Sequence, residues 1–198
     1  EKEFQLKRTE TPSAAAYFRM VEGKTGGLLR LTLAGAAEVC GAPDPVVEAL
    51  EVAGADLGVL FQIQDDILDL YGEKGRDHRG TDVAEGKISA LVVHYLEHAP
   101  NARGNWLRDL LRADREATSL EEIEEVAGAF RRQGSLAAAL AEIDRRRQRV
   151  ATMSALDDYP TLTELLDGLA AWFVSPIDHV SADTDEATPL SQHPKGDP

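Results

Sequence analysis

The sequence predicts an all-α fold organised as one domain, and three observations support this. Apolar residues recur at spacings of three and four through most of the chain, as on the buried face of a helix. Helix-capping residues precede several of these segments, and in two places a proline follows the cap. Alternation of apolar and polar residues, which is typical of strands, is almost absent. With 198 residues, of which 43% are hydrophobic, the chain can form one substantial core.

The predicted helices follow from these caps and periods. In order, they are residues 11–40 with a break at glycines 23, 26 and 27, then 44–71, 83–98, 102–112, 119–134, 135–156 and 161–174. Ser119 and Ser135 are expected to cap the fifth and sixth of them. The segment 72–86 between the second and third helices has the glycine and charge content of a loop.

Composition excludes several classes of protein. A net charge of −14 argues against a nucleic-acid partner, which would need clustered lysines and arginines. No apolar run is long enough to span a membrane, and no signal-peptide pattern opens the chain. The single cysteine, Cys40, excludes an internal disulfide and is expected to be a small buried residue. It fits a reducing, cytoplasmic setting.

Three carboxylates stand out in the second predicted helix. Asp65, Asp66 and Asp69 lie three and four residues apart, on one face of an otherwise apolar segment. One interpretation is that the helix end emerges into solvent and leaves these acids hydrated. The alternative is a site for Mg²⁺, because a divalent ion with oxygen ligands compensates neighbouring carboxylates and completes its shell with substrate phosphates.

The surroundings of the three acids favour the second interpretation. Gln62 adds an amide one turn before them, on the same face. Lys24 and Thr25 lie at the glycine-broken helix position, where a ligand can approach closely, and Lys87 lies beyond the loop. Carboxylates that hold Mg²⁺ beside lysines that hold phosphate oxygens would bind a diphosphate.

These motifs resemble a known family. The stretches "KTGGLLRL", "FQIQDDILDLYGEK" and "GTDVAEGKISALVVH" are similar, in order and spacing, to the C-terminal half of trans-isoprenyl diphosphate synthases of the polyprenyl synthetase family. Within that family the last stretch looks most like geranylgeranyl diphosphate synthases. The resemblance implies an isoprenoid-synthase-type helical bundle that lacks its N-terminal helices. It covers roughly residues 17–98.

The resemblance also implies roles for single residues. The carboxylates of Asp65 and Asp66 would bind Mg²⁺ directly, with Asp69 supporting them. The allylic diphosphate would be held by Lys24, Thr25 and Lys87, and Phe61 and Gln62 would line the cavity near the reacting carbons. A further lysine common in the family is replaced by His78, so that either the neighbouring Arg79 substitutes for it or the contact is weakened.

For a complete enzyme, the resemblance implies a prenyltransferase. An allylic diphosphate would ionise with Mg²⁺ assistance, and isopentenyl diphosphate would attack the cation to give a short-chain product such as geranylgeranyl or farnesyl diphosphate. The family also implies a homodimer. The family's first aspartate-rich motif should precede Lys24 by a long way, and only 23 residues stand before it. We therefore expect the chain to be part of a longer synthase.

Two other functions stay open. One is a non-catalytic partner subunit of a full-length synthase, although such a subunit should lose motif residues that are present here. The other is a terpene cyclase, which does not need the "KTGG" and "GTDVAEGK" elements in this arrangement.

The C-terminal part of the chain contributes fewer signals. Residues 1–178 are expected to form the synthase-like domain, and residues 179–198 a disordered polar and acidic tail. The basic run "DRRRQRV" from Asp144 is predicted to be a solvated helix face, with a partner or dimer contact as the second choice.

Overall fold

The computed structural model describes residues 12–72 and 79–180. These two ranges form α-helices and contain no strand, which confirms the predicted all-α class. The helices are α1 (Ala14–Lys24), α2 (Gly26–Val39), α3 (Asp44–Tyr71), α4 (Thr81–Ala84), α5 (Ala90–His98), α6 (Asn101–Arg112), α7 (Leu120–Arg132), α8 (Ser135–Ala151) and α9 (Pro160–Val174). Short 3₁₀ turns cover Arg115–Ala117, Ser154–Leu156 and Ser175–Ile177.

Helix α3 is the centre of the bundle. It has 28 residues, and helices α1, α2, α8 and α9 pack around it. Its apolar stripe is fully buried at Leu57, Leu60, Ile63 and Ile67, each with none of its surface exposed. A helix of this length spans about 42 Å, and the half that begins at Leu57 carries both this buried stripe and the acidic motif.

Glycines set the distance between α2 and α3. A Cβ atom added to Gly58 would lie 2.3 Å from the Cα atom of Gly26, and one added to Gly54 would lie 2.6 Å from the backbone nitrogen of Arg30. Two helix backbones can approach this closely only where no side chain stands between them. The two helices therefore form a tight antiparallel pair, and the start of α2 is fixed against the middle of α3.

Three predicted helix starts differ from the structure. The third helix, predicted from residue 83, begins at Ala90, and the short helix α4 lies within the segment predicted to be a loop. The first helix begins at Ala14 with Ser13 as its cap, whose side chain accepts a hydrogen bond from the backbone nitrogen of Ala16. The cap of α8 is Gly134, in the left-handed conformation at φ 79°, and Ser135 is already the first helical residue. A glycine can reverse the chain between α7 and α8 without steric cost, so no serine cap is needed there.

The predicted cap at Ser119 is confirmed. Its side chain accepts a hydrogen bond from the backbone nitrogen of Glu122 at 3.2 Å, and the Glu122 carboxylate accepts one from the Ser119 backbone nitrogen at 2.8 Å. The bond from the Ser119 backbone nitrogen, together with one that the Ser119 hydroxyl donates at 2.9 Å, lowers the pKa of the Glu122 carboxyl group. At a pH above the ordinary pKa of a glutamate, the ionised carboxylate therefore stabilises α7. This stabilisation is lost as the pH falls through the lowered pKa of Glu122.

We expect the Ser119→Ala variant to lose about 1 kcal/mol of unfolding free energy, because the Glu122 backbone N–H loses its acceptor and the Glu122 carboxylate loses the hydrogen bond from the Ser119 hydroxyl. Urea denaturation followed by circular dichroism measures this. Ser154→Ala, at an exposed serine that begins a 3₁₀ turn, is the control. Equal midpoints for the two variants would contradict the prediction.

Cys40 is exposed, so the prediction that it is buried was wrong. It follows the last residue of α2, where Gly41 turns the chain at φ 73° and brings the helix end to the surface.

No helix in the described ranges is both long and apolar enough to cross a membrane. Val180 is buried at the end of the described chain. The rest of the predicted tail, residues 181–198, lies outside the described residues.

Candidate functional site

Five of the predicted site residues meet at one cavity. Lys24, Thr25, Gln62, Asp66 and Lys87 line a space of about 10 Å³. Its remaining walls are Tyr17, Met20, Val21 and Ile88. The residues come from the end of α1, the second half of α3 and the segment before α5. The two helices and the segment lie far apart in the sequence, so the fold assembles the cluster.

The junction of α1 and α2 places its side chains against α3. Lys24 is the last residue of α1, and Thr25 continues with φ −87° and ψ −45° into the first residue of α2. The Thr25 hydroxyl donates a hydrogen bond to Oε1 of Gln62 at 3.3 Å. The amide of Gln62 in turn donates from Nε2 to Oδ1 of Asp66 at 3.1 Å. The polar Gln62 thus joins the junction to the acidic motif.

Asp66 is the most buried acid of the motif, with 4% of its surface exposed. Besides Gln62, its carboxylate accepts a hydrogen bond from the Tyr17 hydroxyl at 2.8 Å and contacts the Ala90 backbone nitrogen at 3.4 Å. Burial raises its pKa to about 6, although Lys87 and the hydrogen bonds from Tyr17 and Gln62 act in the opposite direction. Both oxygens of Asp66 therefore have partners within the protein.

The ammonium group of Lys87 bridges two carboxylates, that of Asp66 on α3 and that of Asp82 on α4. Its Nζ atom lies 3.4 Å from Oδ1 of Asp66 and 2.6 Å from Oδ2 of Asp82. Burial alone would lower the pKa of Lys87, but the hydrogen bond to Asp82 and the charges of Asp66, Asp82 and Asp65 raise it above its ordinary value. The side chain is cationic and 24% exposed, so an anion can still reach it.

Asp65 and Asp69 differ from Asp66 in their surroundings. Both are half-buried. The Asp69 carboxylate accepts a hydrogen bond from the backbone nitrogen of Asp82 at 3.0 Å, and its backbone oxygen accepts one from Gly80 at 2.8 Å. These bonds tie the segment after residue 78 to the acidic motif. In the described ranges, no group of three or more His, Cys, Asp and Glu side chains is placed so that it could hold a metal ion.

The other predicted residues lie around this cluster. Arg79 donates two hydrogen bonds to the backbone oxygen of Leu70, at 3.2 and 2.8 Å, and so covers the carboxyl end of α3. It lines a different cavity, with Leu120 and neighbours on α7, and not the one at Lys87. His78 lies outside the described residues. Phe61 is partly exposed and packs edge-on against Phe173 of α9, with 5.3 Å between ring centroids.

Sequence reasoning missed two members of the cluster, Tyr17 and Asp82. Tyr17 has 2% of its surface exposed and bonds to an acid 49 positions away. Its place on the apolar face of α1 could not be told from that of a core residue. Asp82 lies five residues before Lys87 and within the quoted "GTDVAEGK" stretch, so that spacing was the available signal.

Comparison with known proteins places this arrangement among prenyl synthases. The chain is 39% identical over 90 residues to a geranylgeranyl pyrophosphate synthase of Eremothecium gossypii, covering 44% of this chain and 28% of the relative. It is 32% identical over 158 residues to a short chain isoprenyl diphosphate synthase of Methanothermobacter thermautotrophicus, covering 76% of this chain and 47% of the relative. The chain thus spans less than half the length of these relatives.

Solved structures and a family model agree with these sequence matches. A crystal structure of a geranylgeranyl pyrophosphate synthase from Corynebacterium glutamicum superposes with a TM-score of 0.69 at 30% identity, over 87% of this chain and 51% of the other. The isoprenoid-synthase-type helical fold implied by the sequence is therefore confirmed. The family model described as polyprenyl synthetase matches residues 2–129, about two thirds of the chain. The chain belongs to the polyprenyl synthetase family.

Proposed function

We propose that this chain contributes the allylic-diphosphate side of a short-chain isoprenyl diphosphate synthase. The reaction would condense an allylic diphosphate with isopentenyl diphosphate. One observation carries the proposal: Lys24 and Lys87, 63 positions apart, line the same cavity beside the buried Asp66. Two cations with a threonine hydroxyl and an amide form a set of donors suited to phosphate oxygens.

Binding of a diphosphate would require Lys87 to change partners. The cavity of about 10 Å³ is smaller than a diphosphate group, and the Lys87 ammonium is held by Asp82. A diphosphate oxygen would replace the Asp82 carboxylate while Asp66 keeps its contact with Lys87. The positive charge then faces the leaving group, where negative charge grows as the allylic C–O bond breaks.

The acidic motif has the all-oxygen ligands that Mg²⁺ prefers. Asp65 and Asp69, four residues apart on α3 and both more exposed than Asp66, would hold the ion. When bound, Mg²⁺ would neutralise charge on the departing diphosphate. Asp66 fits a supporting role better than direct coordination, since its two oxygens accept hydrogen bonds from Gln62 and Tyr17.

The apolar part of the site would exclude water from the allylic cation. Phe61 stands one residue before Gln62 on α3, and its ring meets Phe173 edge-on. These rings provide a surface that cannot act as a nucleophile, and their electron-rich faces attract cations. Gln62 would lie at the boundary between this surface and the diphosphate, which accounts for an amide on an apolar helix face.

Calorimetric titration of the chain with Mg²⁺ and inorganic diphosphate tests the proposed site. We expect binding that needs both components and is weakened in the Lys24→Met variant. Arg103→Met, which breaks a surface ion pair with Glu125, should bind like the parent and serves as the control. Absence of binding with or without Mg²⁺ would contradict the proposal.

Turnover and assembly need separate measurements. Incorporation of labelled isopentenyl diphosphate, with an allylic diphosphate and Mg²⁺, tests the prenyl transfer itself. Diphosphate binding without incorporation would support the site, and it is the result expected both of part of a longer synthase and of a non-catalytic partner subunit. Sedimentation of the chain tests the homodimer that the family resemblance implies.

A further inference from the structure

An ion-pair network centred on the buried carboxylate of Asp56 joins α3 to α8. Asp56 is completely buried, on the apolar face of α3 between Ala53 and Leu60. Its carboxylate accepts hydrogen bonds from Arg146 at 2.9 Å and from Nε of Arg149 at 2.6 Å, with a further contact from the same Arg149 guanidinium. A buried carboxylate is tolerated only with such compensation, so α8 must keep both arginines facing α3.

Arg146 belongs to the basic run that was predicted to be a solvated helix face, and for this residue the prediction was wrong. Its side chain is 9% exposed and lies over the ring of Phe18, with 5.1 Å to the ring centroid. Besides Asp56, the guanidinium bonds to Glu142 at 2.6 Å on its own helix and to Glu22 at 3.1 Å on α1. One guanidinium therefore joins α1, α3 and α8.

Glu22 brings this network to the candidate site. It stands two residues before Lys24, in the last turn of α1, and its side chain is 34% exposed. Tyr17, by contrast, anchors the first half of α1 through its bond to Asp66. The contact between Glu22 and Arg146 is thus a charged anchor in the last turn of α1, close to the point where the chain breaks before α2.

We propose that Arg146 is a positioning residue, which acts through Glu22 to hold Lys24 and Thr25 against Gln62. This inference rests on the proposed diphosphate site and names the interaction that sets its geometry. Displacement of a binding group by about 1 Å can cost up to a hundredfold in rate or affinity. A guanidinium with rigid planar geometry, fixed by Asp56 at one side, can define the position of Glu22.

Two variants separate positioning from simple stabilisation. Glu22→Ala removes the tie to α1 and leaves the buried pair of Asp56 with Arg146 and Arg149 intact. Arg149→Ala weakens the pairing of Asp56 and leaves the bond between Arg146 and Glu22 in place. We expect Glu22→Ala to weaken Mg²⁺-dependent diphosphate binding roughly tenfold to a hundredfold with little change in melting temperature. Arg149→Ala should lower the melting temperature and keep the affinity.

Glu22→Gln provides a rescue, because the amide oxygen can still accept the hydrogen bond from Arg146. Its affinity should fall between those of Glu22→Ala and the parent. Parent-like affinity in Glu22→Ala, or an equal loss of affinity in Arg149→Ala, would overturn the inference.

Hydrogen exchange keeps this test independent of the proposed function. The amides of Thr25 and Gly26 should exchange faster in Glu22→Ala than in the parent. In Arg149→Ala their exchange rates should equal those of the parent. If the parent fails to bind diphosphate, the proposed function fails, while faster exchange still supports positioning of the junction by Arg146. Unchanged exchange in Glu22→Ala would refute that positioning directly.

Discussion

Replacing Gly58 with alanine should lower the free energy of unfolding by about 3 kcal/mol, at the upper end of what overpacking costs. The added Cβ atom would lie 2.3 Å from the Cα atom and 2.5 Å from the nitrogen of Gly26. Both are backbone atoms, so no flexible side chain can move aside. The helix pair α2 and α3 would have to separate, which would also displace Thr25 from Gln62.

Urea denaturation of Gly58→Ala, followed by circular dichroism, measures this loss. Gly168→Ala is the matched control, because Gly168 lies in the interior of α9 and an added Cβ would meet nothing within 4 Å. Alanine is the better helix former, so the control should gain about 0.5–1 kcal/mol. Similar midpoints for the two variants would show that the close approach of α2 and α3 is not needed.

The Lys87→Met variant should show the largest loss of diphosphate binding. The change removes the ammonium that faces the cavity and leaves Asp66 and Asp82 without their shared cation. A hydrogen bond to a charged group contributes about 1.5–3 kcal/mol, so affinity should fall roughly tenfold to a hundredfold. Titration with Mg²⁺ and inorganic diphosphate measures the effect.

The Lys87→Arg variant separates the effect of the positive charge from that of the shape of the side chain. It keeps the positive charge but presents a planar fork where a compact ammonium stood, so binding should be weakened less than in Lys87→Met. Unchanged affinity in Lys87→Met would mean that Lys87 serves only to neutralise Asp66 and Asp82. In that case its role would be structural, and the site would depend on Lys24 alone.

The sequence predicted the local part of this molecule well, because helices and short motifs depend on nearby residues. The period of three and four predicted α3 from residue 44 to residue 71, as observed. Spacing placed Gln62 and Asp66 on one face, and the structure joins them through a hydrogen bond. The pairing of Thr25 with Gln62 could be expected only from the family resemblance, since 37 positions separate them.

The network around Asp56 shows what a single sequence leaves open. Asp56 pairs with Arg146 across 90 positions, and the sequence around either residue does not identify the other as its partner. One signal was available: an aspartate in the middle of an apolar helix face requires a cation from elsewhere. Six arginines between residues 131 and 149 could have supplied it, and only tertiary packing selects Arg146 and Arg149.

The tight contact of α2 with α3 also bears on the order in which the chain folds. The two helices are neighbours in the sequence, joined by the short turn at residues 40–43, so bringing them together costs little loop-closure entropy. Contacts of this local kind favour early formation in the folding transition state. Substitutions at Gly54 or Gly58 should then slow refolding more than they accelerate unfolding, whereas substitutions at Arg149 should mainly accelerate unfolding.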